Sequence, residues 1–268
     1  MGILRFKKPM LAKSFDATRV EYPCYVQPKL DGIRCVTDGQ RFWSRNGKEF
    51  PIWNTHHLKK ARLKFLVDGE FMVNEGADFE DLVSMVKRNK HPDCEDIQFN
   101  AFDIITKESY QWRLKRLRNL FQDMLGRGEL FGWRIVPTRV ASSIGTIQAA
   151  HRRNLLDGFE GSMIRDRHGL YVSTRTWDLM KYKPLLDGEF TIVDVKEGRG
   201  KDAGTPIYIC VARGKRFAAR PMGTMKQRRA MWRHRKRDIG KLLTVEYQNL
   251  TKYGVPRFPR AKVLRDYE

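Results

Sequence analysis

The hexapeptide Lys29-Leu30-Asp31-Gly32-Ile33-Arg34 puts a primary amine at the end of an apolar extended run, followed by a carboxylate, a glycine turn and a guanidinium. An amine attacks an electrophile only when unprotonated. For a side chain with an ordinary pKa near 10.4, the neutral form costs roughly 4.6 kcal/mol at pH 7, which burial or nearby cations must offset. The chain supplies such cations downstream, at Lys181 and Lys183. Taken alone, Asp31-Gly32 between two apolar runs reads equally well as the turn of a β-hairpin.

Four further patterns follow in order: Asp68-Gly69-Glu70, Phe102-Asp103-Ile104-Ile105, Glu160-Gly161-Ser162-Met163-Ile164-Arg165, and Lys181-Tyr182-Lys183. Together the five resemble the covalent nucleotidyltransferases, which comprise DNA ligases, some RNA ligases and messenger RNA capping enzymes. Within that family the chain is most similar to the minimal ATP-dependent DNA ligases of viruses and phages. The resemblance runs from Pro9-Met10-Leu11-Ala12 through Gly158-Phe159-Glu160-Gly161 to Gly254-Val255-Pro256-Arg257-Phe258-Pro259.

The resemblance implies an α+β nucleotidyltransferase (adenylation) domain over residues 1–184 and a small β-barrel OB-fold domain over residues 185–268. It implies ATP and Mg²⁺, with Mn²⁺ as a substitute, nicked duplex DNA as partner, and a monomer. Lys29 becomes the residue that carries AMP, and Lys181 and Lys183 contact the α-phosphate. Glu160 and Asp31 are expected to serve the cation, because hard divalent ions take oxygen ligands and bridge carboxylate to phosphate. Phe102 matches the aromatic that stacks on adenine, and Gln27 meets the base through its backbone. Arg34 and Glu70 match positions that hold the ribose or the nick phosphate, and Arg45 and Arg175 positions that bind the AMP phosphate or the 5′-phosphate. In the last motif, which ends at Arg265-Asp266, Arg257 and Arg265 orient the pyrophosphate. Each has a plainer alternative: a turn-capping Asp, a surface Glu, a core Phe, or an arginine of a generally basic surface.

The implied reaction has three steps. Lys29 takes AMP from ATP, AMP passes to a 5′-phosphate at a nick, and the 3′-hydroxyl displaces AMP to seal the strand. RNA ligation and GTP-dependent capping share the Lys-x-Asp-Gly-x-Arg element and stay open, as does a non-catalytic, basic DNA-binding module. NAD-dependent ligases add an N-terminal cofactor domain and a four-cysteine zinc module, neither of which fits here.

A formal net charge of +21 on 268 residues points to a polyanionic partner. Residues 185–268 hold 20 Lys and Arg against 9 Asp and Glu, so the shorter C-terminal part is the denser in charge. Six phosphate contacts would give a slope of log affinity on log salt of roughly −5. No apolar stretch has spanning length, so a membrane partner is not expected. Cys24, Cys35, Cys94 and Cys210 are scattered without metal-ligand spacing. With no signal-like N-terminus, this favours reduced thiols and a cytoplasmic setting, that of the host if the source is a virus or phage.

The elements that must position these residues alternate. Strands are expected between Tyr22 and Arg45 with turns at Asp31-Gly32 and Asp38-Gly39, and at 65–73, 97–105 and 133–140. Helical spacing covers Phe79 to Val86, Leu117 to Met124 with an end at Gly126, and Ser143 to Leu156. Beyond Pro184 short strands are expected at 189–195, 207–211, 216–219 and 242–247, broken by one helix. That helix begins at a Thr224–Gln227 capping box and places Met225, Trp232 and Ile239 on one stripe. Its remaining faces carry Lys226, Arg228, Arg229, Arg233, Arg235, Lys236 and Arg237, read as DNA contacts. The linker Gly198–Tyr208 is a short Gly- and Lys-rich loop where related viral enzymes carry a long insertion that closes around DNA.

Overall fold

The computed structural model describes residues 4–60, 63–73, 79–88, 90–251 and 253–265. The chain divides into two compact units, Met1–Tyr182 and Lys183–Glu268.

The first unit contains two five-stranded sheets. One has the order β1 (Leu11–Ser14), β10 (Arg175–Tyr182), β9 (Gly161–Arg165), β2 (Cys24–Lys29), β8 (Arg139–Ala141). The other has the order β4 (Phe42–Ser44), β3 (Ile33–Thr37), β5 (Leu66–Met72), β6 (Gln98–Ile105), β7 (Trp133–Ile135). The pairs β1–β10 and β6–β7 are parallel and the others antiparallel. Asp38-Gly39 turns β3 into β4 as a hairpin. Asp31-Gly32 does not make a hairpin: it carries the chain from β2 in one sheet to β3 in the other.

The helices are α1 (Ile52–Thr55), α2 (Phe79–Lys87), α3 (Tyr110–Gly126) and α4 (Ile144–Leu156). The largest core joins Val67, Phe71 and Phe99 of the second sheet to Leu82 and Val86 of α2 and Leu117 and Phe121 of α3. A smaller core places Ile147 of α4 against Cys24, Val26 and Ile164 of the first sheet. Alternation then assigns the other face: in β2, Val26 faces α4, so Gln27 and Lys29 look away from it. The Ser143 hydroxyl accepts from Thr146 N in a capping box that starts α4.

The strand expected at 133–140 is two strands in different sheets. Pro137 lies between them and lacks the amide that a continuous ladder would need.

The second unit is a closed barrel, β11 (Leu186–Glu197), β12 (Pro206–Ala212), β13 (Lys215–Pro221), β15 (Arg260–Arg265), β14 (Leu242–Tyr247), with α5 (Met225–His234) between β13 and β14 in the chain. Ile192, Tyr208, Cys210, Phe217, Leu243 and Val245 fill it. The capping box at Thr224 and Gln227 is formed, but α5 stops at His234 and Arg235–Asp238 is a 3₁₀ turn. Ile239 therefore lies outside the helical stripe and is half exposed. Strand β15 has no counterpart among the expected elements, because Arg260-Ala-Lys-Val-Leu-Arg offers one fully buried residue, Ala261.

Candidate active site

Lys29 ends β2, with Gly161 as its partner on β9, and the neighbouring cross-strand row runs Gln27, Met163, Lys181. These side chains line a pocket with Leu11 and Ala12 of β1, Arg34 of β3, Glu70 of β5, Phe102 of β6, and Arg45 just after β4. Both sheets thus contribute to one cleft, and the Leu30-Asp31-Gly32 crossover is its rim.

The crossover depends on glycine. A Cβ on Gly32 would stand 2.2 Å from Phe71 O and 2.5 Å from Met72 Sδ, and Gly32 N donates to Glu70 Oε1 at 3.1 Å. The carboxylate of Glu160 receives the Lys29 amine, and Glu160 N donates to Lys29 O at 3.1 Å. Lys29 Nζ also donates to Leu30 O at 3.2 Å.

Arg34 is held by a two-point pair, Nε to Asp68 Oδ1 at 2.7 Å and Nη2 to Asp68 Oδ2 at 2.6 Å. Its guanidinium lies 4.6 Å from the centroid of the Phe102 ring. Tyr171 Oη donates to the same Asp68 at 2.5 Å and accepts from Met10 N, so β1 is tied to this network. Phe102 is the extra residue of a β-bulge: Asp68 pairs with Asp103 and Gly69 with Ala101, which turns the ring into the pocket. Its carbonyl, freed from the ladder, accepts from Gln27 Nε2 at 3.4 Å and Tyr110 Oη at 3.3 Å.

Glu70 is drawn in two directions. Burial pushes its carboxyl above the ordinary value, while Arg34 and Lys29 oppose the shift and the charge on Glu160 adds to it. Cys35, behind it, is a buried thiol pushed well upward by desolvation.

Arg165 also lines the pocket. Its Nε donates to Gln27 Oε1 at 2.6 Å and its Nη1 to Asp103 Oδ2 at 2.8 Å, and Arg113 completes the pair with Asp103 from α3. Arg165 and Asp103 stand within two of the sequence motifs but carry no role in the expectations drawn from them. The signal was their place in those motifs: a carboxylate and an arginine inside apolar strands need partners.

Other expected site residues are placed elsewhere. Asp31 is exposed on the crossover, outside the pocket lining. Arg175 is exposed at the start of β10, donating to Ala12 O at 2.7 Å. Lys183 belongs to the second unit, where its Nζ donates to Gln248 Oε1 at 3.0 Å. Arg257 exchanges backbone bonds with Gln248 and Asn249. Arg265 Nε lies 2.9 Å from Thr244 Oγ1 and 3.0 Å from Glu189. Asp266 is outside the described residues.

On the barrel, Lys226, Arg229, Arg233, Lys236 and Arg237 are exposed along α5 and the turn after it. Arg228 is not free surface: it pairs with Asp202 at 2.7 Å, in a loop that spans only 198–205 because β12 already begins at Pro206, and Arg220 pairs with the same carboxylate at 2.9 Å. Arg235 lies over the Trp232 ring at 3.9 Å. Among the described residues no helix is long and apolar enough to cross a membrane.

Comparison with known proteins agrees with this geometry. The profile of the ATP dependent DNA ligase domain matches residues 9–183, and that of the DNA ligase OB-like domain matches residues 197–265. The DNA ligase of African swine fever virus (strain Badajoz 1971 Vero-adapted) is 28% identical over 292 aligned positions, covering 96% of this chain and 68% of that protein. A Lig E DNA ligase, described as binding DNA with a minimal scaffold, superposes with a TM-score of 0.78 at 26% identity over 97% of this chain and all of that one. The Chlorella virus DNA ligase-adenylate superposes with a TM-score of 0.57 at 27% identity over 97% and 99% of the two chains. With two sheets enclosing a lysine-bearing cleft, an OB-like barrel and profiles spanning most of its length, the chain belongs to the ATP-dependent DNA ligase family.

Proposed function

We propose that Lys29 is the residue this DNA ligase adenylylates, and that the cleft between the two sheets holds the nucleotide. One observation carries the reading: Lys29, Arg34, Arg45, Glu70, Phe102 and Lys181 converge on a single pocket from six different strands or their ends. The Lys29 nitrogen forms a bond to the α-phosphorus as the bond to pyrophosphate breaks. AMP then moves to a 5′-phosphate at a nick, and the 3′-hydroxyl attacks that phosphorus and releases AMP. Phe102 offers adenine an apolar face, Gln27 the backbone beside it, Arg34 and Glu70 meet the ribose, and Lys181 with Arg45 faces the phosphate.

Mg²⁺, or Mn²⁺ in its place, fits the donors present. Among the described residues no group of three or more His, Cys, Asp or Glu forms a metal site. Mg²⁺ commonly uses one or two carboxylates and fills its shell with phosphate oxygens and water. Glu160 would hold it, with Asp31 beside the rim, and the ion would neutralise developing phosphate charge. Glu160 also engages the Lys29 amine, so the residue that would hold the ion is the one that holds the nucleophile.

From the second unit we assign Lys183, Arg257 and Arg265 to the phosphates of the nucleotide. Lys226, Arg229, Arg233, Arg235, Lys236 and Arg237 are assigned to duplex DNA at nicks and Arg175 to the 5′-phosphate, whereas Arg228 is withdrawn from that set because Asp202 engages it. We assign the enzyme to the cytoplasm, a reading supported by four buried free cysteines, and assign it as a monomer.

The test is incubation of pyrophosphate-treated wild type and Lys29→Ala with Mg²⁺ and α-labelled ATP. Acid-labile label is expected on wild type alone, while Lys29→Ala still seals a pre-adenylylated nick in part. Label on the Ala variant would overturn the assignment, and label from GTP in place of ATP would favour capping chemistry.

A further inference from the structure

The first unit has a further concave site that shares no lining residue with the Lys29 pocket. Trp112 and Tyr25 supply its aromatic surface, Lys115, Arg118 and Arg167 its charge, and no carboxylate lines it. Trp112 stands in the first turn of α3, whose inner face, with Leu114, Leu117 and Phe121, is buried, yet the indole is 54% exposed. Lys115 Nζ lies 5.3 Å from the ring centroid. Arg167 is held in place, its Nε donating to Gln111 Oε1 at 2.6 Å while Gln111 N donates to Arg167 O at 3.0 Å. Arg118 Nη2 reaches Thr138 O at 3.5 Å. Tyr110 separates this site from the nucleotide pocket: one edge meets the Tyr25 ring at 5.4 Å, and its hydroxyl bonds Phe102 O.

An exposed indole that shares a concavity with three cations matches the needs of an unpaired nucleotide, an aromatic face for the base and cations for the flanking phosphates. A paired base has both faces covered by its neighbours in the stack and gains nothing from Trp112. We propose that this site binds single-stranded DNA, one base stacking on Trp112 and the adjoining phosphates meeting Lys115, Arg118 and Arg167. The choice of DNA among polyanions rests on membership of the ligase family. The site would let the enzyme engage an unpaired strand that flanks a break, a substrate feature separate from the nick itself.

The test measures anisotropy of a labelled twelve-residue oligothymidylate, and of nicked duplexes with and without a single-stranded tail, on wild type, Trp112→Ala, Trp112→Phe and Lys115→Gln/Arg118→Gln. Removing a stacked base should weaken oligothymidylate binding about tenfold in Trp112→Ala, with Trp112→Phe recovering most of it. The tailed nick should lose its advantage over the untailed one, whose affinity stays unchanged. The double Gln variant should flatten the salt slope for the oligonucleotide by about 1.4. Labelling of Lys29 is measured in parallel; full labelling shows that the unit has folded, and failure of labelling in wild type would count against the nucleotide pocket alone. Wild-type affinity for oligothymidylate in Trp112→Ala, or an equal loss for the untailed nick, would overturn the proposal.

Discussion

Arg165 on β9 and Asp103 on β6 are joined from one sheet to the other by an ion pair of 2.8 Å, with side chains 4% and 0% exposed. Arg113 closes on the same carboxylate at 2.8 Å, and Ile104 N donates to it. This clamp fixes the separation of the sheets behind the Phe102 ring, over which Arg165 lies at 5.4 Å. Asp103→Ala would leave two buried guanidinium groups without a counter-charge, a situation that costs about 3–5 kcal/mol. Urea unfolding of the variant should show that loss, with adenylylation falling alongside it. A loss under about 1 kcal/mol would mean that the clamp is dispensable.

Gly32→Ala addresses the crossover. The new methyl would meet Phe71 O at 2.2 Å, and a backbone oxygen cannot swing aside as a side chain does. The rim must shift, taking with it the Gly32 N to Glu70 bond and the residue three positions before it, Lys29. Overpacking of this kind costs about 1–3 kcal/mol, and displacement of a nucleophile by about 1 Å can cost on the order of a hundredfold in rate. Labelling with ATP should therefore slow far more than thermal unfolding shifts. Ordinary labelling kinetics in Gly32→Ala would show that the rim has room to adapt.

How much of this was legible in the chain depends on whether a residue's role lay in its own chemistry or in its neighbours. Lys29, Glu70, Phe102 and Lys181 were readable because motif order gave each a place, and one pocket receives them all. The hairpin alternative for Asp31-Gly32 could not be dismissed from sequence, since the same dipeptide turns a strand back or passes it to another sheet. Only the partners of β2 and β3 decide that. Asp103 and Arg165 looked like ordinary members of their motifs because their value lies in a contact between residues 62 positions apart. Arg228 looked like one more cation of α5 and proves to be the anchor of Asp202, a partner 26 positions away that periodicity cannot reveal. Strand β15 escaped because a barrel strand with Lys and Arg on its outer face gives little apolar alternation.

Glu70 gives a pH prediction. Burial raises its carboxyl above the ordinary 4.5 in the folded chain, so the native state holds a proton that the unfolded state releases first. Because the native state binds more protons, rising pH disfavours it, and stability falls as pH rises above about 4.5 until the native carboxyl ionises. Glu70→Gln removes this dependence. Unfolding free energies measured across that range should show wild type losing ground to the variant as pH increases. Parallel curves for the two proteins would indicate that Arg34 and Lys29 fully cancel the cost of burial.

The basic face of α5 makes a quantitative demand on DNA binding. Lys226, Arg229 and Arg233 are exposed, so their folded contacts within the barrel are few, and each phosphate they neutralise would release counterions. Replacing all three with Gln should reduce the slope of log affinity on log salt by about 2.7 for duplex DNA, with little change in stability. Arg228→Gln is the contrasting case. Its side chain is 14% exposed and its Nη2 already lies 2.7 Å from Asp202, so the barrel should lose stability while the salt slope barely moves. If Arg228→Gln lowered the slope as much per charge as the exposed positions do, the Asp202 pair would have to open on DNA, and the 198–205 loop it holds would be released in the complex.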